Sequence, residues 1–81
     1  MPTIWREGPY RVFFYSNEGT EPAHVHVYGN GNVAKFWLAN VSVAANNGFA
    51  AHELKELITL VRAHRDDWLR AWDGYFGPAS R

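Results

Sequence analysis

The stretch from residue 24 to residue 38 reads His24-Val25-His26-Val27-Tyr28-Gly29-Asn30-Gly31-Asn32-Val33-Ala34-Lys35-Phe36-Trp37-Leu38. Its centre is a run of glycine and asparagine, the two residues that best tolerate positive φ in a tight turn. Before the turn His24 and His26 alternate with Val25 and Val27, and after it Lys35 and Trp37 alternate with Ala34, Phe36 and Leu38. Such alternation is typical of strands with two different faces. The pattern predicts a hairpin with strands from His24 to Tyr28 and from Val33 to Leu38.

Three further strands are predicted around this hairpin. Ile4–Glu7 and Tyr10–Tyr15 lie upstream and flank a Gly-Pro turn signal, and the second of them is aromatic and β-branched. Asn40–Ala45 lies downstream and ends at the polar residues 46–48. Consecutive short strands with tight turns predict an antiparallel meander.

The hydrophobic period changes at Ala50. From there apolar side chains recur at helical spacing on one face, at Leu54, Leu57, Ile58, Val61, Trp68 and Trp72. The spacing predicts a helix to about Asp73, ended by Gly74. Polar residues 64–67 interrupt the apolar stripe and predict a kink, or a second N-cap at Asp66. The expected fold class is α+β, an antiparallel β-meander of four to five short strands packed against one long C-terminal helix.

Length and composition indicate one small domain. Residues 1–81 would divide into a β-rich half (1–47), a helical half (48–76) and a flexible tail (77–81). Aromatic residues make up 16% of the chain, which is enough for a compact core without staples. The absence of cysteine excludes disulfides, thiolate metal sites and a cysteine nucleophile. No apolar run near the start is long enough for a signal peptide or a membrane span, so we expect a cytoplasmic protein without membrane contact.

The formal net charge is zero, with eight basic and eight acidic side chains. This balance argues against strong nonspecific binding of nucleic acid, which depends on neutralising phosphates, but it leaves room for a local basic face. It also removes the charge repulsion that keeps copies apart, which favours a homodimer or another protein partner.

Two histidines stand at alternate positions of the predicted strand. His24 and His26 would share one face, and two imidazoles with a carboxylate are a common set of zinc ligands. Glu18 and Glu21 are near enough along the chain to complete such a shell. The predicted metal ligands are His24, His26 and Glu21. The alternative interpretation is a structural histidine pair, hydrogen-bonded to backbone or carboxylate, with no cofactor.

The same histidines could perform acid–base chemistry. Two imidazoles suffice for cleavage of RNA through its 2′-hydroxyl without a metal, and a nearby cation would stabilise the developing charge. The candidate catalytic residues are His24, His26, Arg11 and Glu18, and RNA would be the substrate. Arg11 could equally be a surface residue of the sheet that pairs with Glu18.

Segments spread over nearly the whole chain resemble a family of small bacterial proteins of unknown function. They are Met1-Pro2-Thr3-Ile4, Tyr10-Arg11-Val12-Phe13-Phe14-Tyr15-Ser16-Asn17-Glu18, Glu21-Pro22-Ala23-His24-Val25-His26-Val27, Ala34-Lys35-Phe36-Trp37-Leu38, Gly48-Phe49, Glu53-Leu54, His64-Arg65 and Trp72. The resemblance implies a bacterial, cytoplasmic protein encoded beside another small domain, as in toxin–antitoxin pairs, and it transfers no catalytic residue. The chain departs from the family pattern at Ala23, where a second proline is usual, and at Ala39-Asn40, where an acidic residue and a proline are usual.

The layout is also similar to that of small messenger-RNA-cleaving toxins with a double-stranded-RNA-binding-like fold, an analogy that carries no function by itself. The function expected first is a protein-binding component of a two-gene toxin–antitoxin-like module, rather than an enzyme. Its partner would be a small protein encoded by an adjacent gene. The alternatives are a metal-independent ribonuclease toxin using His24 and His26, and a metal-binding protein using histidine and glutamate.

Overall fold

The computed structural model describes residues 3–77, in which five strands form one sheet and one helix follows. Each strand is antiparallel to its neighbours and the order in the sheet is the order in the chain. The elements are β1 (Thr3–Glu7), β2 (Tyr10–Phe13), β3 (His24–Gly29), β4 (Asn32–Trp37), β5 (Ser42–Asn47) and α1 (Ala51–Phe76). The predicted α+β meander with one long C-terminal helix is confirmed. The predicted flexible tail lies, apart from Gly77, outside the described residues.

Strand boundaries differ from the prediction by one or two residues, most at the end of β2 and at both ends of β5, which runs to Asn47 rather than Ala45. Local turns end β2 and delay β5. β2 stops at Phe13 because the backbone N–H of Tyr15 donates to Oε1 of Glu18 (2.8 Å), while the N–H of Glu18 donates to the carbonyl of Tyr15. β5 begins at Ser42 because Val41 adopts a φ of 50° in the preceding turn. The prediction therefore placed the end of β2 two residues late and the start of β5 two residues early.

The predicted interruption at residues 64–67, a kink or a second N-cap at Asp66, is wrong, because α1 is continuous from Ala51 to Phe76. His64 stacks on Trp68 with ring centres 5.0 Å apart, and Nε of Arg65 donates to the carbonyl of Leu38 over 2.7 Å. These polar residues therefore face partners of their own, and the backbone needs no break to accommodate them.

The predicted end at Gly74 is also wrong. The helix ends at Gly77, which has a φ of 89° and donates its N–H to the carbonyl of Asp73. The ring of Phe14 contacts both Trp72 and Phe76, at 5.2 and 5.3 Å between ring centres. Packing of these rings continues the helix past Gly74, against the low helix propensity of glycine.

The core lies between α1 and one face of the sheet. Val25 and Val27 of β3 and Phe36 of β4 have no exposed surface and belong to this core. The predicted apolar stripe of the helix meets them, with Leu57, Val61, Trp68 and Trp72 buried. Alternation along β3 places the intervening side chains His26 and Tyr28 on the other face, whereas His24, at the start of the strand, is itself fully buried and contacts Trp72 of α1.

We call that other face of the sheet the open face. Residues directly opposite each other in antiparallel strands share a face, so the register defines rows of side chains across it. One row consists of Arg6, Arg11, Tyr28, Val33 and Asn47, and the next of Phe13, His26, Lys35 and Ala45. Within the described range, α1 is too polar for a membrane-spanning helix.

Candidate functional site

Three side chains converge at the start of β3. Oε1 of Glu18 lies 3.0 Å from Nε2 of His24, and Oε2 of the same carboxylate lies 3.0 Å from Nε2 of His26. One ligand-type atom from each residue lies within 4.8 Å of those from the other two. We call Glu18, His24 and His26 the triad.

A compact loop between β2 and β3 places Glu18 over the two histidines. The Glu18 carboxylate accepts the backbone N–H of Tyr15, and the carbonyl of Glu18 accepts the N–H of Glu21 at 3.1 Å. These bonds turn the loop back on itself, so that a residue six positions before His24 reaches its ring. Glu18 is therefore held in place by hydrogen bonds to Tyr15 before it and Glu21 after it in the chain.

His24 is the most constrained member of the triad. It has no exposed surface, and its Nδ1 lies 2.9 Å from the carbonyl oxygen of Pro22. A carbonyl only accepts, so Nδ1 carries a proton, and in the neutral form of the ring, the form that binds metal, Nε2 carries the lone pair. That Nε2 is buried and makes no hydrogen bond of acceptable geometry, although Oε1 of Glu18 is close to it.

Aromatic rings fix the orientation of both imidazoles. The ring of His24 lies 4.9 Å from Trp72 and 5.6 Å from Trp37. The ring of His26 stacks on Phe13 at 5.3 Å with an interplanar angle of 19°. The side chains of His26 and Glu18 remain 13% and 17% exposed, so solvent reaches the triad at these two residues and not at the buried His24.

Burial and hydrogen bonding set the charge states. Burial lowers the pKa of His26 below its usual 6.5, against the opposing effect of its hydrogen bond to Glu18. Burial acts to raise the pKa of Glu18, but hydrogen bonds from the backbone N–H of Tyr15 and from His26 outweigh it and lower that pKa overall. At neutral pH the site therefore holds an ionised carboxylate beside a neutral His26, the forms in which these side chains bind metal.

Two residues predicted for the site lie beside the triad rather than in it. The guanidinium of Arg11 lies 4.9 Å from the centre of the Phe13 ring, and no ion pair joins it to Glu18 in the described range. Glu21 accepts a hydrogen bond from Nζ of Lys35 at 2.8 Å and lies 3.7 Å from Nδ1 of His24, the nitrogen that already donates to Pro22. Glu18 thus takes the position beside the two Nε2 atoms that the sequence-based metal set gave to Glu21.

Sequence reasoning missed the aromatic surroundings and the carbonyl of Pro22. Part of this was accessible, because a turn centred on Asn30-Gly31 fixes a register in which Trp37 lies opposite His24. The approach of Trp72 had no local signal, since the helix places it from 48 residues further along the chain.

Chemically, the triad offers two imidazole nitrogens and one carboxylate around a common centre. This donor set suits zinc and related divalent transition metals. It suits paired acid–base catalysis poorly, because His24 is buried and both Nε2 atoms face one carboxylate instead of opposite sides of a substrate.

Comparison with curated proteins and with solved structures gave no match. Comparison with protein-family models matched residues 10–73 to a family described as Domain of unknown function (DUF4160). The matched range includes β2, the loop that carries Glu18, the hairpin that carries both histidines and most of α1. The chain therefore belongs to the DUF4160 family of domains of unknown function.

Proposed function

We propose that this domain binds a divalent transition-metal ion, with zinc the first choice, through Glu18, His24 and His26. The observation that carries the proposal is Nε2 of His24, which is buried, lacks a hydrogen bond and faces the Glu18 carboxylate. Metal-ligating histidines characteristically donate their other ring N–H to a carbonyl or carboxylate, as Nδ1 of His24 does to Pro22.

The separations within the triad agree with this assignment. Two ligands of a tetrahedral zinc ion, each about 2.0–2.1 Å from the metal, lie roughly 3.3 Å apart. The carboxylate oxygens lie 3.0 Å from the two Nε2 atoms, so small side-chain rotations bring them to that spacing. A ligand atom also lies off the axis of its neighbour's lone pair, which explains why the contact with His24 is close without being a hydrogen bond.

Three protein ligands leave a fourth position of a zinc ion for water or another ligand, as in sites of the His₂Glu type. This position would lie on the side of His26 and Glu18, the two partly exposed members of the triad. The metal-independent ribonuclease receives less support, because a substrate phosphate would have to reach a buried imidazole past the charge of Glu18.

Zinc titration of untagged protein tests the proposal. We expect one zinc ion per chain by calorimetry and elemental analysis. At a free concentration of about 100 Kd the ion adds about 2.7 kcal/mol to stability, or roughly 10–20 °C in Tm for a domain of this size. His26→Ala should abolish both effects, whereas His52→Ala, which removes an exposed histidine at the start of α1, should leave them unchanged. Zinc binding that survives His26→Ala would contradict the proposal.

A second candidate function is a protein-binding component of a two-gene toxin–antitoxin-like module in the bacterial cytoplasm. A groove of about 260 Å³ between the first hairpin and α1 supports it, because half-buried Trp5 and Leu60 and buried Leu57 line it. Tryptophan and other large apolar side chains in such grooves commonly anchor protein partners. The occupant would be an apolar side chain of the small protein encoded by the adjacent gene, the partner implied by the family resemblance.

Co-expression with the adjacent gene product tests this candidate. The two proteins should copurify, and Leu60→Lys should release the partner without changing the Tm by more than a few degrees. Leu69→Lys, on another side of α1, is the matched control and should retain the partner. Copurification that is equally insensitive to both changes would assign the contact to a different surface.

A further inference from the structure

Two arginines lie directly opposite each other on the open face. Arg6 of β1 and Arg11 of β2 are register partners, so their side chains share this face. Like charges directly opposite each other destabilise a sheet. Within residues 3–77 neither guanidinium has a carboxylate partner. The pair is an unrelieved concentration of positive charge, which a bound anion would stabilise.

Aromatic rings continue the open face from these arginines. Tyr28 is the register partner of Arg11 and is 43% exposed, and the guanidinium lies 5.9 Å from the centre of its ring. On β4, the strand next to that of Tyr28, the ammonium of Lys35 lies 4.5 Å from the centre of the half-buried Trp37 ring. The open face therefore alternates cations with flat aromatic surfaces.

The carboxylates that reach this surface already have partners. Glu18 and Glu21 approach it from the loop before β3, and both are engaged, with the imidazoles and with Lys35. The remaining carboxylates belong to α1 and to Glu7, which lines the groove on the helix side. Arg6 and Arg11 are thus the cations of the open face that have no ion pair within residues 3–77, whereas Lys35 is paired with Glu21.

We propose that the open face binds single-stranded nucleic acid, with phosphates at Arg6, Arg11 and Lys35 and bases stacked on Tyr28 and Trp37. Single-stranded nucleic acids bind where a basic surface tracks the backbone and aromatic side chains stack on unpaired bases. Four-stranded sheets of RNA-binding domains stack two or three bases in this way. The proposal concerns a different ligand from the metal and does not depend on it.

The ligand would cross the face rather than extend the sheet. The ladder of β1 has an irregularity between Thr3 and Trp5, and the ladder of β4 and β5 has another between Lys35 and Phe36. Such irregularities at sheet edges hinder the addition of another strand. Both edges are therefore poor docking sites for an extended peptide, and the exposed aromatic and cationic side chains lie on the face between them.

Fluorescence anisotropy with labelled oligouridylate and oligodeoxyuridylate, in EDTA to exclude metal, tests the proposal. Both should bind with an affinity that falls as salt rises, and tighter binding of oligouridylate would identify contacts to the 2′-hydroxyl. Arg11→Gln should weaken binding and reduce the slope of log K against log salt by about 0.7. Because it also removes the cross-strand repulsion, this change should not lower the Tm.

Changes at Tyr28 separate stacking from charge. Tyr28→Thr, which keeps a strand-favouring residue, should weaken binding about tenfold, and Tyr28→Phe should restore it. Arg62→Gln on the exposed side of α1 is the matched control for charge and should have no effect.

The proposal fails if no saturable binding occurs up to about 100 µM at low salt. It also fails if polyglutamate of equal length displaces the oligonucleotides equally well, a result that would assign the face to an acidic protein. Because EDTA removes metal from every arm, failure here leaves the zinc titration unaffected, and failure of that titration leaves this binding unaffected.

Discussion

The carbonyl oxygen of Pro22 lies 2.9 Å from Nδ1 of His24, and this contact determines which nitrogen of the buried ring faces the Glu18 carboxylate. The proton on Nδ1 leaves the Nε2 lone pair directed into the triad. A ring fixed in this tautomer loses little freedom when a metal binds, which favours affinity. The two residues are separated by one position, so the constraint is built into the entry to β3.

Glu18→Gln and Glu21→Gln distinguish the triad from the metal set expected from the sequence. Glu18→Gln removes the charged ligand beside both Nε2 atoms, so we expect zinc affinity to fall by at least a factor of 100, measured by calorimetry. Glu21→Gln removes the charge partner of Lys35 and a carboxylate that lies 3.7 Å from Nδ1 of His24, away from both Nε2 atoms, and should leave the affinity within a factor of three, because exposed ion pairs contribute little. Equal losses in the two variants would mean that Glu21 is a ligand after all.

Two glycines near the end of α1 should respond in opposite directions to alanine. Gly74 lies inside the helix with open space where a Cβ would be placed, so Gly74→Ala should stabilise the domain by about 1 kcal/mol. Gly77 has a φ of 89°, which strains any residue with a Cβ, so Gly77→Ala should destabilise by about 1 kcal/mol. Each change corresponds to roughly 4–8 °C in Tm. Stabilisation by both substitutions would contradict a helix that ends at Gly77.

The hairpin and the helix could be predicted because each has a local cause. The Gly-Asn turn fixes the register of β3 and β4, and the apolar spacing from Leu54 to Trp72 marks the buried side of α1. The end of the helix could not be predicted from Gly74, because it depends on the contacts of Trp72 and Phe76 with Phe14, the residue that follows β2. Tertiary packing there overrides the propensity of a single residue.

The histidines of the site could also be found from the sequence, since alternation in a strand places His24 and His26 on one face. The choice between Glu18 and Glu21 could not, because both are close along the chain and only the turn at Tyr15 selects Glu18. The burial of His24 depends on Trp72, which approaches from the other half of the chain. Spacing therefore predicted the two histidines of the candidate site, and the loop before β3 determined which carboxylate lies beside them.

Arg65 should contribute to stability through its contact with the sheet. Its Nε donates to the carbonyl of Leu38 at 2.7 Å and its Nη2 to that of Ala39 at 3.3 Å, which ties α1 to the end of β4. Arg65→Gln should therefore cost about 1–3 kcal/mol in urea denaturation. Arg70→Gln, which breaks a pair with Asp67 at the exposed surface, should cost less than about 0.5 kcal/mol and serves as the control. A cost for Arg65→Gln no larger than that of the control would show that the contact adds nothing to stability.

Tyr10 should make the stability of the domain depend on pH at the alkaline end. Its hydroxyl donates a hydrogen bond to Glu53, and this bond, with a smaller effect of burial and of the nearby charge, raises the pKa of Tyr10 from 10 to about 12. Because the folded state holds the proton more tightly than the unfolded state, the contribution is complete below about pH 10. It is lost as the pH rises from about 10 towards 12. We expect Tyr10→Phe to be less stable than the wild type below pH 10, with a difference that narrows above it. Ultraviolet absorbance of tyrosinate should show one late-titrating tyrosine in the wild type, which Tyr10→Phe removes and Glu53→Gln shifts to lower pH. A late titration that persists in Tyr10→Phe would assign the raised pKa to another tyrosine.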